Sequence, residues 1–140
     1  MPIPIPTADG LDAPFHEGLR EHRLMIPRCS SCGTWQWAPE VLCYNCHEFG
    51  LGWEEVEPNG VLFSWTRIWH PVRPQLAPIV PYIAVLVELP HAGSVRLIGN
   101  LIGDGHQNVH GGDRVRGVYE DHESGGHVYT LLQWQRTSRS

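Results

Sequence analysis

The residues best suited to chemistry are four cysteines arranged in two pairs. They form Cys29-Ser-Ser-Cys32 and Cys43-Tyr-Asn-Cys46, ten residues apart, and the chain has no other cysteine. Each pair can present two thiolates from one tight turn, and four thiolates suit the tetrahedral coordination of structural Zn(II). The interval is slightly shorter than the usual zinc-ribbon interval of about 15–20 residues. The spacing predicts a structural zinc site with Cys29, Cys32, Cys43 and Cys46 as its ligands.

Two alternatives use the same cysteines. Two disulfides would consume all four, although thiols that bind zinc fit a reducing compartment better than a disulfide framework does. Iron also binds four cysteines, as in rubredoxin, and would give a red electron-transfer protein. His47 follows the second pair as a further donor, but four thiolates already satisfy the ion, so we expect an exposed turn residue there.

Other chemistry-bearing side chains are scattered, and no catalytic motif connects them. The chain has no Gly-x-Ser-x-Gly, P-loop or Rossmann fingerprint. His106 and His110 are four residues apart in a Gly-rich loop, where no long helix could hold both on one metal ion. His70 could offer a proton to a partner's active site, and Arg67 and Arg73 could meet phosphates or carboxylates there. Ordinary surface positions are the alternative for all of these residues.

Composition and charge exclude several classes of protein. The 140 residues suit one domain, or a small domain with a metal-held appendage, and the 41% apolar content is enough for a core. All ten basic residues are Arg and the net charge is −5, which disfavours binding to a nucleic-acid backbone. The apolar stretch 76–89 is interrupted by prolines and is shorter than the about 20 residues of a membrane span. Residues 1–6 lack the features of a signal peptide, so we expect a cytoplasmic protein without a membrane segment.

The first part of the chain predicts an arm, a helix and a ribbon. Residues 1–6 alternate Pro and Ile and should be extended. A helix is expected over Asp12–Met25, with Asp12 as its N-cap. The zinc ribbon follows over residues 28–53, with Trp35 and Trp37 on one face of a strand. Because a ribbon this small has no core of its own, that face must pack on something else.

From Gly60 onward the apolar residues recur with period two, which is typical of β-strands. A closed barrel would hide the edges of the five strands expected there. The sequence therefore predicts a mainly β protein with an N-terminal helix, a rubredoxin-like zinc ribbon and a C-terminal five-stranded OB-fold barrel. We expect domain boundaries at 1–27 for the arm and helix, 28–53 for the zinc ribbon and 54–140 for the OB-fold domain. The expected strands cover 61–69, 82–89, 95–101, 114–121 and 127–135.

Alternation along these strands also predicts which side chains enter the barrel. Gly99 interrupts the third strand and is expected to mark a bend or bulge. The inward residues expected on the first and last strands are Val61, Phe63, Trp65, Trp69, Val128, Leu132 and Trp134.

The order of short motifs along the chain is more specific than any one of them. The motifs are Phe15-His-Glu-Gly18, Leu24–Cys29, Cys32-Gly33, Ala38-Pro39, Trp53, Asn59-Gly60-Val61, Ser64-Trp-Thr66, Val80-Pro-Tyr82, Val87-Glu-Leu89, Arg96-Leu-Ile-Gly-Asn100 and Gly112-Asp-Arg-Val115. With its helix–ribbon–barrel order, the chain resembles the acyl-CoA-associated zinc-ribbon/OB-fold family, long catalogued as domain of unknown function 35. The resemblance covers nearly the whole chain after residue 10. His16 and His47 depart from it, because an aromatic residue and a glycine are common at these positions.

The resemblance implies a non-catalytic partner of a thiolase-fold enzyme. Such subunits hold a hetero-oligomer together and complete its acyl-CoA site. The setting we favour is the aldolase of steroid side-chain degradation, with a lipid-transfer-protein-like thiolase subunit and with Zn(II) as a structural cofactor of this chain. An acyltransferase or a hydroxymethylglutaryl-CoA-forming thiolase complex is the alternative. In this interpretation Trp35, Trp37, Arg67, His70 and Arg73 face the partner or CoA.

A zinc-ribbon/OB protein could instead bind single-stranded nucleic acid. Aromatic side chains on an OB face can stack on bases, and Trp65 and Trp69 lie on the first barrel strand. The acidic charge argues against this function, and binding that weakens steeply with salt would be its signature.

Overall fold

The computed structural model describes residues 11–49 and 51–137, and within them the fold is mainly β. The arm expected at residues 1–6 lies outside the described residues. None of the helices in these ranges is long and apolar enough to cross a membrane. The elements in chain order are α1 (Ala13–Arg20), β1 (Leu24–Arg28), β2 (Gly52–Val56), β3 (Asn59–Ile68), a 3₁₀ helix (Pro74–Ile79), β4 (Tyr82–Leu89), a second 3₁₀ helix (Pro90–Ala92), β5 (Val95–Leu101), β6 (Arg114–Ser124) and β7 (His127–Arg136).

Helix α1 is shorter than the sequence predicts, so the expected extension to Met25 is wrong. After Arg20 the chain turns back and the following residues form β1. His22 adopts a φ of 58°, in the left-handed region, and the Arg23 amide donates to the Gly18 carbonyl at 2.8 Å. A Cβ atom on Gly18 would lie 2.9 Å from the Arg23 carbonyl oxygen. The glycine that weakens the helix is therefore required where the chain reverses over it.

Strand β1 pairs antiparallel with β2, with Arg28 opposite Gly52 at the end from which the metal-binding residues leave. We call residues 29–49, which carry all four cysteines, the knuckle segment. The strand expected through Trp35 and Trp37 is reduced to a single bridge between Arg28 and Trp35. The regular part of the ribbon is therefore the β1–β2 pair, and the knuckle segment consists of turns and irregular loop with a second bridge between Leu42 and Phe49.

Strands β3 to β7 close into a five-stranded barrel in the order β3-β4-β5-β7-β6. Its neighbours are antiparallel except β5 and β7, which meet in parallel at Leu101 and Trp134. Residues 114–116 of β6 pair back onto residues 59–61 of β3 and complete the closure. This is the five-stranded barrel of the OB-fold, and the predicted fold class is confirmed.

One apolar core fills the barrel and continues into β1. Leu62, Val87 and Trp134 are among its buried barrel members, and Leu24 and Ile26 of β1 are fully buried in the same cluster. Burying such side chains stabilises the fold by about 25 cal/mol per Å² of apolar surface. The β1–β2 pair is therefore anchored to the barrel by packing rather than by the metal centre alone.

The inward face expected on the first barrel strand is only partly correct. Leu62 is the buried residue, whereas Phe63 is 49% exposed and lies under the guanidinium of Arg96. The register of β3 against β4 shifts between Leu62 and Ser64, which reverses the alternation at that point. Trp69 lies beyond the end of β3 and is exposed as well.

Two expectations on the later strands also change. Strands β6 and β7 pair with each other as far as Ser124 and His127, beyond the residues through which they pair with β3 and β5. Val128 lies in this extension and is 58% exposed. Gly99 lies in an uninterrupted β4–β5 register and marks no bulge. A Cβ atom on Gly99 would lie 2.8 Å from Cδ1 of Trp134, so the glycine leaves room for the indole.

Candidate metal centre and neighbouring cleft

The two cysteine pairs sit in turns of the same design. The amide of Gly33 donates to the Cys29 carbonyl, and the amide of His47 donates to the Cys43 carbonyl, both at 2.9 Å. Gly33 has a φ of 79° and His47 a φ of 64°, so both occupy the left-handed region. Glycine adopts this conformation without a Cβ clash and histidine does not, which makes the second turn the more strained of the two.

The turns bring all four sulfur atoms together, each within 4.8 Å of the others. The Sγ atoms of Cys29 and Cys46 are 3.5 Å apart, and those of Cys32 and Cys43 are 3.7 Å apart. Four sulfurs at about 2.3 Å from one zinc ion lie about 3.8 Å from each other in a tetrahedron. The donor set and its spacing therefore fit tetrahedral zinc, with no position left for water or substrate.

Electrostatics at the centre favour a bound cation. Hydrogen bonds from Thr34 and then from the Asn45 side chain lower the pKa of Cys32 from 9.0 to about 6, so this thiol is ionised at neutral pH. The Glu48 amide lowers the pKa of Cys46, but burial and the three neighbouring sulfurs outweigh it and raise that pKa to about 12. Four sulfurs this close cannot all carry charge without a cation, and coordination to a metal deprotonates such thiols.

The knuckle segment is held internally by one buried amide. Gln36 is 4% exposed; its Oε1 accepts from the Tyr44 amide at 3.0 Å and its Nε2 donates to the Leu42 carbonyl at 3.5 Å. Within the knuckle segment, Cys29 and Cys43 are the only other buried residues. Sequence reasoning missed Gln36, and the available signal was a polar side chain placed between two tryptophans.

Trp35 and Trp37 join the knuckle segment to the rest of the protein. The guanidinium carbon of Arg28 lies 4.6 Å from the centroid of the Trp35 ring. The other contact of Trp35 is with Gly93, in the turn before β5. Trp37 packs against Phe15 of α1 with ring centroids 4.7 Å apart. Both rings pack against the apolar core, which is the external support that the sequence predicted they would need.

Trp37 also lines a cleft in the surface of the described part of the chain. This cleft, of about 430 Å³, lies between α1, the knuckle segment and strands β5 and β7. Its walls are mostly apolar and contain no Asp, Glu, Lys or Arg. They are formed by Phe15, His16, Leu19, Trp37, Leu97, Ile98, Gly99, Asn100, Thr130, Leu131, Leu132, Gln133 and Trp134.

Two buried polar atoms in the cleft walls have no hydrogen-bond partner. One is Nδ1 of His16, whose Nε2 is 3.0 Å from the Asp12 carboxylate, and the other is Nε1 of the fully buried Trp134. Asp12 occupies the N-cap position as predicted, but its side chain bonds His16 instead of capping α1. Sequence reasoning missed the cleft, because its walls come from four separate segments of the chain.

The other predicted site residues lie away from the cysteines and the cleft walls. Nε of Arg67 donates to the Gly105 carbonyl at 2.8 Å and its Nη2 to the Gln107 carbonyl, so this side chain fastens the loop after β5. His70 and Arg73 are exposed around the start of the first 3₁₀ helix. Whether Trp35, Trp37, Arg67, His70 and Arg73 face a partner stays a prediction.

His106 and His110 do not belong to any cluster of three or more metal-binding side chains among the described residues. The His106 ring lies against Trp69 with ring centroids 5.7 Å apart. Across the described ranges, the four cysteines form the one cluster of three or more side chains suited to a metal ion.

The fold and the centre define a zinc-ribbon/OB-fold protein. Comparison with known families agrees: residues 16–52 match the rubredoxin-like zinc-ribbon domain of ChsH2, and residues 53–120 match the C-terminal OB-fold domain of ChsH2. The chain therefore belongs to the ChsH2-type zinc-ribbon/OB-fold family, also known as DUF35. Its four clustered cysteines are a structural zinc site.

Individual relatives are similar over different lengths. A probable enoyl-CoA hydratase alpha subunit of Thermomonospora curvata is 32% identical over 100 residues, which are 71% of this chain and 30% of that protein. A solved chain described as the Ltp2-ChsH2(DUF35) aldolase is 28% identical with a TM-score of 0.78, covering 96% of this chain and 98% of its own length. A DUF35 protein of unknown function from Sulfolobus solfataricus shares the fold at 16% identity and a TM-score of 0.61, over 92% of this chain and 87% of its own.

Proposed function

We propose that this chain is a non-catalytic accessory subunit of an acyl-CoA enzyme. The observation that carries the proposal is the structural match to the ChsH2-containing aldolase over almost the full length of both chains. The relative named as an enoyl-CoA hydratase subunit also points to acyl-CoA substrates, although the chain spans only 30% of it. A closed four-sulfur centre supports a structural rather than chemical role for the metal.

The partner we propose is a thiolase-fold, lipid-transfer-protein-like subunit in a cytoplasmic hetero-oligomer. The reaction of that complex would be retro-aldol cleavage of an acyl-CoA in steroid or lipid side-chain degradation. The description that joins Ltp2 and ChsH2(DUF35) in one aldolase supports this choice over an acyltransferase or a hydroxymethylglutaryl-CoA-forming complex. Trp35, Trp37, Arg67, His70 and Arg73 remain the residues proposed to face the partner or CoA.

Nucleic-acid binding has little support from the charge distribution. Several arginines in the described ranges form ion pairs with carboxylates of the same chain. These arginines therefore do not provide a free basic stripe of the kind that binds along a phosphate backbone. These pairs are Arg20–Glu17, Arg23–Glu21, Arg23–Glu55, Arg28–Glu54, Arg96–Glu88 and Arg136–Asp113.

Co-expression tests the proposed function. The chain would be produced with the thiolase-like protein encoded beside its gene, and acyl-CoA cleavage would be assayed for each protein alone and for both. We expect co-purification, activity only in the complex, and no turnover by this chain alone. Turnover by this chain alone, or failure of any thiolase-like protein of its host to co-purify with it, would contradict the proposal.

A further inference from the structure

We propose that residues 69–79, which lie between β3 and β4, are a preformed anchor that docks on an apolar surface rimmed by carboxylates on the thiolase-fold partner. We call these residues the proline loop, because they include Pro71, Pro74 and Pro78. The identity of the partner rests on the proposed function above. The position of the anchor, and the chemistry of the surface that it fits, follow from the loop itself.

The proline loop exposes apolar side chains that the described part of the protein does not cover. Every residue of the loop is exposed except Leu76, which is buried. Trp69 is 56% exposed, Val72 is 81% exposed and Ile79 is 42% exposed. Single exposed apolar residues are ordinary on a protein surface, but several on one loop are typical of an interaction site. Tryptophan is among the residues that contribute most to binding free energy in such sites.

Contacts at the base of the proline loop hold it in one conformation. Nε of Arg67 donates to the Gly105 carbonyl at 2.8 Å and its Nη2 donates to the Gln107 carbonyl, which ties the end of β3 to the loop after β5. The guanidinium carbon of Arg67 lies 5.9 Å from the centroid of the Trp69 ring, and the His106 ring lies against the same indole. The prolines also fix φ along the loop. A loop that is ordered before it binds loses little conformational entropy on binding, so these contacts favour a role as an anchor.

The charge of the proline loop differs in sign from that of the chain as a whole. All 15 acidic residues lie outside residues 58–87, whereas Arg67 and Arg73 lie inside this range, and the net charge of the chain is −5. Arg67 is committed to two carbonyls, but Arg73 is exposed and enters no ion pair among the described residues. Asp104 of the neighbouring loop accepts from the His106 amide at 2.9 Å. A partner surface with Asp or Glu around an apolar area complements this loop better than it complements the rest of the chain.

A phosphate backbone is a poorer match for the same loop. Affinity for nucleic acid comes from several Lys or Arg side chains, each of which displaces a counterion. Arg73 is the one arginine of residues 69–79, and Val72 and Ile79 offer neither a charge nor a ring for base stacking. These side chains favour a protein surface over a nucleic acid.

The first test measures how tightly the chain binds the thiolase-like protein encoded beside its gene, by calorimetric titration of the two purified proteins. Trp69→Ala is expected to weaken binding at least about tenfold, as truncation of an interface tryptophan commonly does. Val72→Ala should weaken it less, and Val128→Ala, on the exposed end of the β6–β7 hairpin, is the matched control and should bind like the parent. Zinc content and thermal unfolding should be unchanged in all three variants. Parent-like binding by the Trp69 and Val72 variants would overturn the proposal.

The second test concerns the charge of the partner surface. Binding by the parent should weaken as salt is raised, and Arg73→Glu should weaken it at least about tenfold, because the new carboxylate would meet those of the partner. Arg116→Glu makes the same charge reversal at an exposed position of β6 and should bind like the parent. Equal losses in the two variants would show an effect of net charge alone and would overturn the assignment to the proline loop.

Other occupants of the loop give different results. Gel filtration of the free chain should show a monomer, and a dimer that Trp69→Ala dissociates would assign the loop to a second copy of this chain. Binding of a single-stranded oligonucleotide that Arg73→Glu abolishes would assign it to nucleic acid, and either result would overturn the proposal. If the Trp69 and Val72 variants form the complex as tightly as the parent, the anchor fails and the accessory role stands. If the parent binds no thiolase-like protein of its host, the accessory role fails together with the anchor.

Discussion

The knuckle segment and the barrel show two different ways of stabilising a chain. Among residues 29–49 the buried side chains are Cys29, Gln36 and Cys43, and none of them is a hydrocarbon. The barrel instead buries residues such as Leu62, Val87 and Trp134 in one apolar cluster. One region is held by sulfur atoms and an amide, and the other by packing.

This difference indicates that the zinc site stabilises the fold of the knuckle segment. A segment of this size cannot bury enough apolar surface to fold alone, and metal binding supplies folding free energy that packing cannot. The folded knuckle segment holds Trp37 against Phe15 in the wall of the cleft. We therefore expect the two regions to respond to opposite kinds of perturbation.

The largest effect is expected from Cys29→Ala. Structural zinc contributes on the order of 10 kcal/mol of folding free energy in zinc-binding peptides, so loss of one ligand should unfold the knuckle segment. Metal analysis should show less than one zinc per chain, and the partner should no longer co-purify. Ser30→Ala, at the exposed neighbouring position, is the control and should keep both. Retained zinc in the Cys29 variant would contradict the ligand assignment.

The barrel should respond in the opposite way. Leu62→Ala removes a side chain that is 2% exposed, and such truncations cost about 2–5 kcal/mol. Chemical denaturation should show this loss while the zinc content stays unchanged. Val72→Ala, at a position 81% exposed, should lie within about 0.5 kcal/mol of the parent. Loss of zinc from the Leu62 variant would show that the two regions are not separable.

Gln36→Leu tests the amide within the knuckle segment. The Tyr44 amide and the Leu42 carbonyl would lose their partner, which costs about 1–3 kcal/mol. Hydrogen exchange should accelerate at Tyr44 before the barrel is affected. Gln75→Leu, on the exposed first 3₁₀ helix, serves as the control. Unchanged exchange at Tyr44 would show that the sulfur atoms alone hold the segment.

The two knuckle turns can be compared by substituting the residue with positive φ in each, Gly33 in the first turn and His47 in the second. His47→Gly should stabilise the segment by about 0.5–1 kcal/mol, because glycine accepts the φ of 64°. Gly33→Ala should destabilise it by about 1–2 kcal/mol for the same reason. The measurement is zinc retention against a competing chelator. Equal retention by the two variants would refute this account of the turns.

The smallest expected effect is on the pH dependence of stability and comes from Asp121 of β6. Hydrogen bonds from Thr130 and then from His22 lower the pKa of Asp121 below its ordinary value of 3.8. A carboxyl group with a lowered pKa in the folded state stabilises it fully above the unfolded pKa, and less as pH falls through the folded pKa. Asp121→Asn should flatten the loss of stability as pH falls below about 4. The same flattening in Glu123→Gln, at an exposed position, would remove the assignment to Asp121.

The sequence was most informative where one interaction dominates. The cysteine pairs predict the metal centre, because only close sulfurs can serve one ion, and the period-two pattern predicts the barrel. The helix end was missed, because it depends on His22 in the left-handed region and on the reversal over Gly18. The exposure of Phe63 follows from a register shift that alternation alone does not show.

The cleft was beyond sequence reasoning for a different reason. His16, Trp37 and Trp134 are far apart in the chain and meet only when α1, the knuckle segment and β7 are packed together. The unpaired state of His16 Nδ1 and Trp134 Nε1 is likewise a property of packing and not of residue type.

Amide hydrogen exchange with and without a zinc chelator tests the central contrast most directly. We predict that residues 29–49 lose protection when zinc is removed, while β4 and β5 keep theirs, because the apolar core does not depend on the metal. Protection of the knuckle segment that survives complete removal of zinc would contradict the account, and so would loss of protection in β4 and β5.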